Sequence, residues 1–308
     1  MSEHGIPSRP WRVAITGSSG LVGSALATRL ESEGHAVLRL VRGRAGAGEA
    51  HWDPERGQID AAPLEGLSAV VNLAGENIGQ RWTPGVKERI RRSRVEGTAL
   101  LAGALASLRE PPDVLINASA MGFYGDRGDE WLTEESAPGS DFLAGVVREW
   151  EGATAAAARA GIRVVLPRFG LVLSRNGGVL ERMLPAFRLG AGGRLGSGKQ
   201  WMSWISLQDL VDAILFFITT PGLSGPVNAV TPYPVTNDEF THTLARVLNR
   251  PAFFAVPRAA LQLAFGEMAD AALLGGQRMT PERLRREHFE FRYPRLEEAL
   301  RAALETHG

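Results

Sequence analysis

The chain has 308 residues, of which 34 are basic and 34 acidic, so its formal net charge is zero. This balance gives no reason to expect binding to nucleic acid or to an anionic membrane. The chain has no cysteine, and its six histidines show neither HExxH nor HxxxH spacing, so no metal site is expected. The polar first ten residues and the lack of an apolar run of about 20 residues favour a cytoplasmic protein without a membrane span.

Short β-rich apolar runs alternate with longer amphipathic stretches through the first half of the chain. The predicted strands are 12–16, 36–41, 69–73, 114–119 and 163–168. The predicted helices are 21–33, 84–108 and 141–160. This alternation implies right-handed crossovers and a parallel sheet covered on both faces, which is an α/β, Rossmann-type doubly wound fold.

The second half of the chain is predicted to be mainly helical. The predicted helices are 178–189, 206–219, 237–248, 257–274, 281–287 and 295–306, with a late strand at 226–230. We assign 10–175 to the Rossmann domain and expect 206–230 to return to it. Residues 176–205 and 231–308 are assigned to a smaller, mainly helical substrate-side lobe.

A glycine-rich loop, TGSSGLVG at 16–23, follows the first strand and opens the first helix. Gly17 permits a tight turn, Gly20 lets the backbone approach a pyrophosphate, and Gly23 lets the helix pack closely on the sheet. The phosphates would then contact free N–H groups at the helix start. The alternative is a βα turn that binds nothing. The residues predicted to hold the dinucleotide here are Gly17, Ser18, Ser19, Gly20, Leu21, Val22 and Gly23.

The end of the second strand predicts which dinucleotide is bound. Sites for NAD usually carry Asp or Glu at this position to bond the ribose 2′-OH, but here the residue is Val41. Arg42 and Arg44 follow, and an arginine suits a 2′-phosphate through charge-assisted hydrogen bonds. The alternative is a pair of solvated surface arginines. The sequence therefore predicts NADP(H) as the cofactor.

Six motifs occur in a fixed order along the chain: TGSSGLVG, VNLAG at 71–75, SRVEGT at 93–98, SAMGFYG at 119–125, PRFGLVL at 167–173 and WISLQDL at 204–210. Over about 10–230 the chain resembles the extended short-chain dehydrogenase/reductase superfamily, of the sugar-nucleotide epimerase and dehydratase type. NLAGEN at 72–77, GSGKQ at 196–200 and the following Trp204-Ile205 resemble an atypical branch. That branch comprises the "epimerase family" proteins with a C-terminal domain of unknown function.

This resemblance implies positions for further cofactor contacts. Leu73, Ala74 and Gly75 would line the adenosine and pyrophosphate side. Ala118 and Ser119 would line the nicotinamide side, and Pro167 would lie under the nicotinamide. Arg94 replaces the asparagine usual in the N-V-x-G-T segment of these families, and it would face the cofactor phosphates. A helix-surface arginine is the alternative for Arg94.

The proton-transfer pair usual in this superfamily is missing. It consists of Tyr and Lys four residues apart on one helix face, where the lysine lowers the pKa of the phenol. The helix expected to carry it, 141–153, has neither residue, and no YxxxK occurs anywhere in the chain. The active Ser or Thr of these families would fall on Ala120. Ser119 is one residue away, and adjacent strand residues point to opposite faces.

Three residues are candidates for a substitute acid or base. Tyr124 and Glu76 follow strand ends, where open parallel sheets bind their ligands, and Ser119 lies at the expected nicotinamide end. For Tyr124 the alternative is a packing role, and for Glu76 it is a solvated loop.

Two functions remain open at this stage. The first is an NADP(H)-dependent oxidoreductase or epimerase-like enzyme with an unknown small-molecule substrate and a non-standard acid/base group. The second is a non-catalytic NADP(H)-binding sensor or regulatory protein. A homodimer is compatible with either function.

Overall fold

The structure is a computed structural model, and it describes residues 10–305. Its strands are β1 Arg12–Thr16, β2 Ala36–Val41, β3 Glu49–Asp53, β4 Gln58–Ile59, β5 Ala69–Asn72, β6 Val114–Asn117, β7 Ser119–Ala120, β8 Trp131–Leu132, β9 Arg163–Phe169, β10 Leu171–Leu173, β11 Gly193–Leu195, β12 Trp201–Met202, β13 Trp204–Ser206, β14 Gly225–Ala229, β15 Val235–Thr236, β16 Phe254–Val256 and β17 Arg278–Met279.

The helices connect and cover these strands. They are α1 Leu21–Ser32, α2 Pro84–Ala106, α3 Phe142–Gly152, α4 Ala155–Arg159, α5 Gly178–Arg188, α6 Leu207–Thr219, α7 Asn237–Leu248, α8 Arg258–Phe265, α9 Glu282–Arg286 and α10 Leu296–Glu305, with 3₁₀ turns at Ala62–Leu64 and Met121–Tyr124 and a π-helical turn at Ala269–Leu274.

The main sheet has nine strands in the order β14-β9-β6-β5-β1-β2-β3-β4, and β7 pairs with β9. All of its pairings are parallel except β3 with β4. The chain runs outward from β1 to β2, then crosses to β5 on the other side of β1. This reversal leaves a crevice at the carboxyl ends of β1 and β5, where open α/β sheets bind ligands. The predicted Rossmann-type fold class is confirmed.

Apolar cores cover both faces of this sheet. Val13 and Ile15 belong to one core, which α1 and α6 cover, whereas Ala14 belongs to the other, which α2 and α4 cover. The division follows from the alternation of strand side chains between the two faces. The loops that follow β1 and β5 at the crevice are therefore anchored in a rigid sheet that is covered on both faces.

The smaller lobe packs α5, α7 and α10 around a separate core that includes Trp204, Phe240 and Leu300. The sequence assigns all of 231–308 to this lobe, but the structure divides that segment. Leu284, Phe289 and Phe291 pack against the main-sheet core beside α6. The hydrophobic pattern of the segment indicates that these residues are buried, but it does not indicate which core they pack against.

Two predicted helices are broken in the structure. The predicted helix 141–160 is interrupted between α3 and α4, where the Thr154 hydroxyl donates to the Glu151 carbonyl at 2.7 Å. The predicted helix 257–274 ends at Gly266, whose φ of 62° lies in the left-handed region. The β3–β4 hairpin that extends the sheet was not predicted.

The structure also bears on membrane spans and metals. Among residues 10–305 no helix is both long and apolar enough to cross a membrane. The same residues contain no group of three or more His, Asp or Glu side chains placed to hold a metal ion.

Candidate functional site

A cavity of about 920 Å³ lies over the crevice between β1 and β5, and we call it the first cavity. Its wall combines the glycine loop, the end of β2, the loop after β5 and one side of α2. The lining residues are Gly17, Ser18, Ser19, Gly20, Arg39, Leu40, Val41, Arg42, Glu49, Trp52, Pro54, Glu55, Leu73, Ala74, Gly75, Glu76, Arg89, Arg92, Ser93 and Glu96.

The three glycines of the loop have distinct geometric roles. Gly17 has a φ of +66°, which disfavours any other residue. A Cβ on Gly23 would lie 2.2 Å from the Gly17 carbonyl oxygen, so only glycine permits the close helix–loop contact. Around Gly20, by contrast, the one heavy atom near an added Cβ is that same oxygen, at 3.2 Å. Gly20 therefore leaves open space above the loop.

The start of α1 offers unsatisfied hydrogen-bond donors to this space. Gly20 is the N-cap residue, and no side chain caps the helix. The first N–H groups of a helix have no partner within the helix, and together with the helix dipole they favour an anion. The loop thus combines free donors with room for a phosphate.

A buried polar network fixes the loop after β5 beside the glycines. Thr16 Oγ1 accepts hydrogen bonds from the backbone N–H groups of Leu73 and Ala74 at 3.0 and 3.1 Å. It donates to Asn72 Oδ1 at 2.6 Å, and Asn72 Nδ2 donates to Asn117 Oδ1 at 2.6 Å. The network holds the carboxyl ends of β1, β5 and β6 together. This network was not predicted, although its signal in the sequence is a polar residue at the end of each of three neighbouring apolar strands.

The residues at the end of β2 differ in their placement. Val41 and Arg42 line the first cavity, whereas Arg44 does not. β2 ends at Val41, and Arg44 lies in the exposed loop that leads to β3. Arg39, which was not predicted, lines the cavity but pairs with Glu31 at 2.7 Å. Arg42 has no ion-pair partner among residues 10–305.

A second cavity of about 430 Å³ adjoins the first, and Gly17, Gly20 and Leu73 line both. Its remaining wall is mostly hydrocarbon and comes from at least six separate parts of the chain. The other lining residues are Leu21, Val22, Gly23, Ile78, Ile90, Arg94, Ala118, Ser119, Ala120, Met121, Gly122, Leu143, Val146, Val147, Trp150, Phe169, Gly170, Leu171, Val172, Ala271, Ala272 and Gln277.

Helix α3 presents only apolar side chains to the second cavity. Leu143 and Val147, and likewise Val146 and Trp150, are four residues apart and share this face. These positions are where a YxxxK pair would have to stand. The Trp150 indole N–H donates to Thr98 Oγ1 at 2.9 Å, away from α3. No phenol or amine reaches the second cavity from this helix.

Ser119 lines the second cavity beside Ala118. Its hydroxyl donates to Glu151 Oε1 at 2.6 Å. Arg168 in turn binds Glu151 with two hydrogen bonds, from Nε at 2.8 Å and from Nη2 at 2.9 Å. Glu151 was not predicted as a partner for Ser119, because the two residues meet only through the packing of α3 on the sheet.

Pro167 does not lie under this site. It is buried within β9 opposite Val227 and lines neither cavity. β9 continues for two residues beyond the proline, to Phe169. Phe169 and Gly170 line the second cavity instead.

Tyr124 is not at a cleft rim. It is fully buried and lines neither cavity. Its hydroxyl accepts from Arg168 Nη1 at 2.9 Å and donates to Asn228 Oδ1 at 2.7 Å. Burial raises the pKa of Tyr124 to about 12, against the opposing effect of Arg168. The prediction of Tyr124 as a rim proton donor is therefore wrong, and the packing alternative describes it.

Glu76 and Arg94 lie on opposite sides of the loop after β5. Glu76 lines the first cavity but not the second, and its carboxylate accepts from Gln80 Nε2 at 3.1 Å. Arg94 lines only the second cavity. Its guanidinium lies beneath Gly75, so the alternative of a helix-surface arginine is wrong.

The family model for the NAD dependent epimerase/dehydratase family matches residues 13–230. The chain belongs to this family. A second model, for a domain of unknown function (DUF1731), matches residues 256–303. Together they confirm the resemblance to the epimerase branch with a C-terminal domain of unknown function.

Relatives in this family cover nearly the whole chain. An epimerase family protein of Mycobacterium bovis is 49% identical over 290 residues, which is 94% of this chain and 96% of the relative. A chloroplastic SDR39U1 homolog of Arabidopsis thaliana is 40% identical over 304 residues, 95% of this chain and 86% of the relative.

A solved structure matches the fold over the same extent. The crystal structure of human epimerase family protein SDR39U1 with NADPH has a TM-score of 0.89 and 34% identity, and the match covers 96% of this chain and 99% of the human chain.

Proposed function

We propose that the protein is an NADP(H)-dependent oxidoreductase that acts on a small molecule held in the second cavity. The observation that carries this proposal is the junction of the two cavities. A cavity with a glycine loop and free helix N–H groups opens, through Gly17, Gly20 and Leu73, into an apolar cavity with a hydroxyl on its wall. We assign the dinucleotide phosphates to the loop and the nicotinamide to the second cavity.

The residues of the first cavity fit this cofactor. Gly20 leaves room for a pyrophosphate, and the uncapped start of α1 supplies donors. Val41 provides no carboxylate that would repel a 2′-phosphate, and Arg42 has its guanidinium free to bind one. The NADPH in the structure of the human relative supports the same assignment. We therefore propose NADP(H), with Arg42 as the residue that selects it.

The second cavity supplies a proton-handling group. A bound nicotinamide dinucleotide takes up or releases a hydride. Ser119 Oγ is the hydroxyl of this cavity, and Glu151 Oε1 accepts its hydrogen bond at 2.6 Å. When a substrate alcohol is oxidised, Ser119 accepts its proton while passing its own to Glu151. Reduction of a carbonyl reverses both transfers. Arg168 holds the Glu151 carboxylate in place from behind.

A second candidate function is that of a non-catalytic NADP(H) sensor. It is favoured by the apolar face of α3, which offers Leu143, Val146, Val147 and Trp150 where the superfamily uses Tyr and Lys. In that case Ser119 and Glu151 only tie α3 to the sheet.

The two functions differ in their response to Ser119→Ala. Cofactor turnover is screened against small carbonyls, alcohols, quinones and sugar nucleotides, and NADPH binding is measured by fluorescence. For an enzyme, Ser119→Ala lowers turnover by about 10²–10⁴-fold and leaves NADPH affinity nearly unchanged. Ser107→Ala, an exposed serine at the end of α2, is the control. Full turnover in Ser119→Ala refutes the proton role, and NADPH binding without any turnover supports the sensor.

A further inference from the structure

The second cavity is unsuited to a sugar nucleotide. Its wall is formed by Leu143, Val146, Val147 and Trp150 of α3, with Phe169 and Ala271 from later segments. A nucleotide sugar carries a pyrophosphate and many hydroxyl groups, and each buried polar group without a partner is costly. A ligand of mainly hydrocarbon character gives up few hydrogen bonds to water when it enters this cavity.

Few polar side chains face the cavity, and most are already engaged. Ser119 bonds Glu151, and Gln277 Nε2 donates to the Gly125 carbonyl at 2.9 Å. Arg94 is the one ionisable residue among the described residues that line the cavity. The second cavity is therefore an apolar space with a single positive charge.

The Arg94 guanidinium is held in a fixed position. A Cβ on Gly75 would lie 3.1 Å from Arg94 Cζ, and on the other side Cζ lies 5.2 Å from the centre of the Trp150 ring. Nη1 donates to the carbonyls of Glu76 and Ile90 at 3.0 and 3.2 Å. A planar guanidinium packed in this way has lost most of its rotational freedom before any ligand binds.

The positive charge of Arg94 is not neutralised by the protein. Within residues 10–305 no carboxylate lies within ion-pair distance of Arg94, and no hydrogen bond of its Nε or Nη2 is seen. Burial lowers the pKa of Arg94 to about 10, with Glu76 opposing this effect, so the group remains charged at pH 7. A partly buried, unpaired cation favours an anionic ligand.

We propose that the second cavity binds a small, mainly hydrocarbon carboxylate, and that the carboxylate pairs with Arg94. The inference rests on the proposed function in one respect: the reacting carbon of such a ligand would lie near Ser119. The proposed substrates are therefore aliphatic or aromatic acids that carry a carbonyl or hydroxyl group. Nη2 and Nε supply the donors for the carboxylate oxygens.

The test measures binding, so that it does not depend on turnover. Calorimetric titration of the NADPH-saturated protein compares 3-phenylpropanoate with its neutral isostere 3-phenylpropanamide. The acid is expected to bind roughly 10-fold to 100-fold more tightly than the amide. Arg94→Gln should abolish this preference, and Arg94→Lys should retain part of it because the charge persists without the planar fork.

Arg91→Gln is the matched control. Arg91 is three residues earlier on α2, lines neither cavity and pairs with Glu149 at 2.6 Å, so its loss should leave the acid preference intact. NADPH affinity is measured separately for each variant, and thermal unfolding confirms that each is folded.

Three results overturn the inference. The first is equal binding of acid and amide to the wild type, and the second is no acid binding at millimolar concentration. The third is an Arg94→Gln variant whose loss of NADPH affinity matches its loss of acid affinity, which would assign Arg94 to the cofactor phosphates. Arg94-dependent acid binding without turnover refutes only the proposed oxidoreductase activity and supports the assigned ligand class.

Discussion

The two adjoining cavities are built on different physical principles. The first cavity has backbone groups at its glycine loop: the N–H groups at the start of α1 and the open space at Gly20. The second cavity is made by side chains from at least six separate parts of the chain, with Arg94 as its single ionisable group among the described residues. Backbone recognition needs a contiguous motif, and side-chain recognition does not. The glycine loop of the first cavity could therefore be predicted from the sequence, whereas the wall of the second cavity could not.

The largest effect is expected beneath the second cavity, at Arg168. The side chains of Arg168 and Glu151 are 3% and 10% exposed, so Arg168→Met leaves a buried carboxylate without its partner. Such a loss costs about 3–5 kcal/mol in the free energy of unfolding. Urea denaturation measures it. Arg92→Met, which removes an exposed pair with Glu96, should cost no more than about 1 kcal/mol. If the two variants lower the free energy of unfolding equally, the buried pair of Arg168 and Glu151 is no more stabilising than an exposed ion pair.

The second-largest effect is expected at Gly20. In Gly20→Val the fold survives, because the backbone at this residue is extended (φ −77°, ψ 171°) and the added Cβ meets only the Gly17 oxygen. The side chain then occupies the space assigned to the pyrophosphate, and NADPH affinity should fall by at least about 100-fold. Fluorescence titration measures this, with Gly103→Val in an open part of α2 as the control. Normal NADPH binding by a folded Gly20→Val protein would mean that the first cavity is not a phosphate site.

Arg42→Ala tests cofactor selection within the first cavity. The charge-assisted contact to a 2′-phosphate contributes about 1.5–3 kcal/mol, so the preference for NADPH over NADH should fall by roughly 10-fold to 100-fold. Parallel titrations with both cofactors measure it. Arg44→Ala is the matched control, since Arg44 is exposed and lines neither cavity. If Arg42→Ala keeps the full preference for NADPH over NADH, Arg42 is not the residue that selects the cofactor.

The smallest effect is expected at Tyr124. Its variant tests whether the residue has a structural role or a catalytic one. Tyr124→Phe removes the hydrogen bonds to Arg168 and Asn228 and should cost about 1 kcal/mol in the free energy of unfolding. NADPH affinity and any turnover found should stay unchanged, because the hydroxyl reaches neither cavity. Glu76→Gln, at the first cavity, should likewise preserve turnover. A loss of turnover in a stable Tyr124→Phe protein would restore Tyr124 as the proton donor.

The sequence by itself determined the fold class and the geometry of the glycine-rich loop. Strand-helix alternation gave the parallel sheet, since hydrophobic periodicity is a local property of the chain. The TGSSGLVG motif predicted the tight turn at Gly17 and the close helix contact at Gly23, because both are set by the turn and the adjoining helix. The absence of YxxxK was also visible, and α3 indeed presents no phenol or amine to the second cavity.

Only the tertiary structure decided which side chains meet. Pro167 and Phe169 are two residues apart, yet the end of β9 decides that Phe169 reaches the second cavity. Tyr124 is polar and follows a strand, but packing buried it between Arg168 and Asn228. Ser119 and Glu151, 32 residues apart, are joined by the seating of α3 on the sheet. Arg94 faces the second cavity because Gly75 and Trp150 enclose its guanidinium. Such contacts depend on how distant elements pack together, and no local pattern in the sequence encodes them.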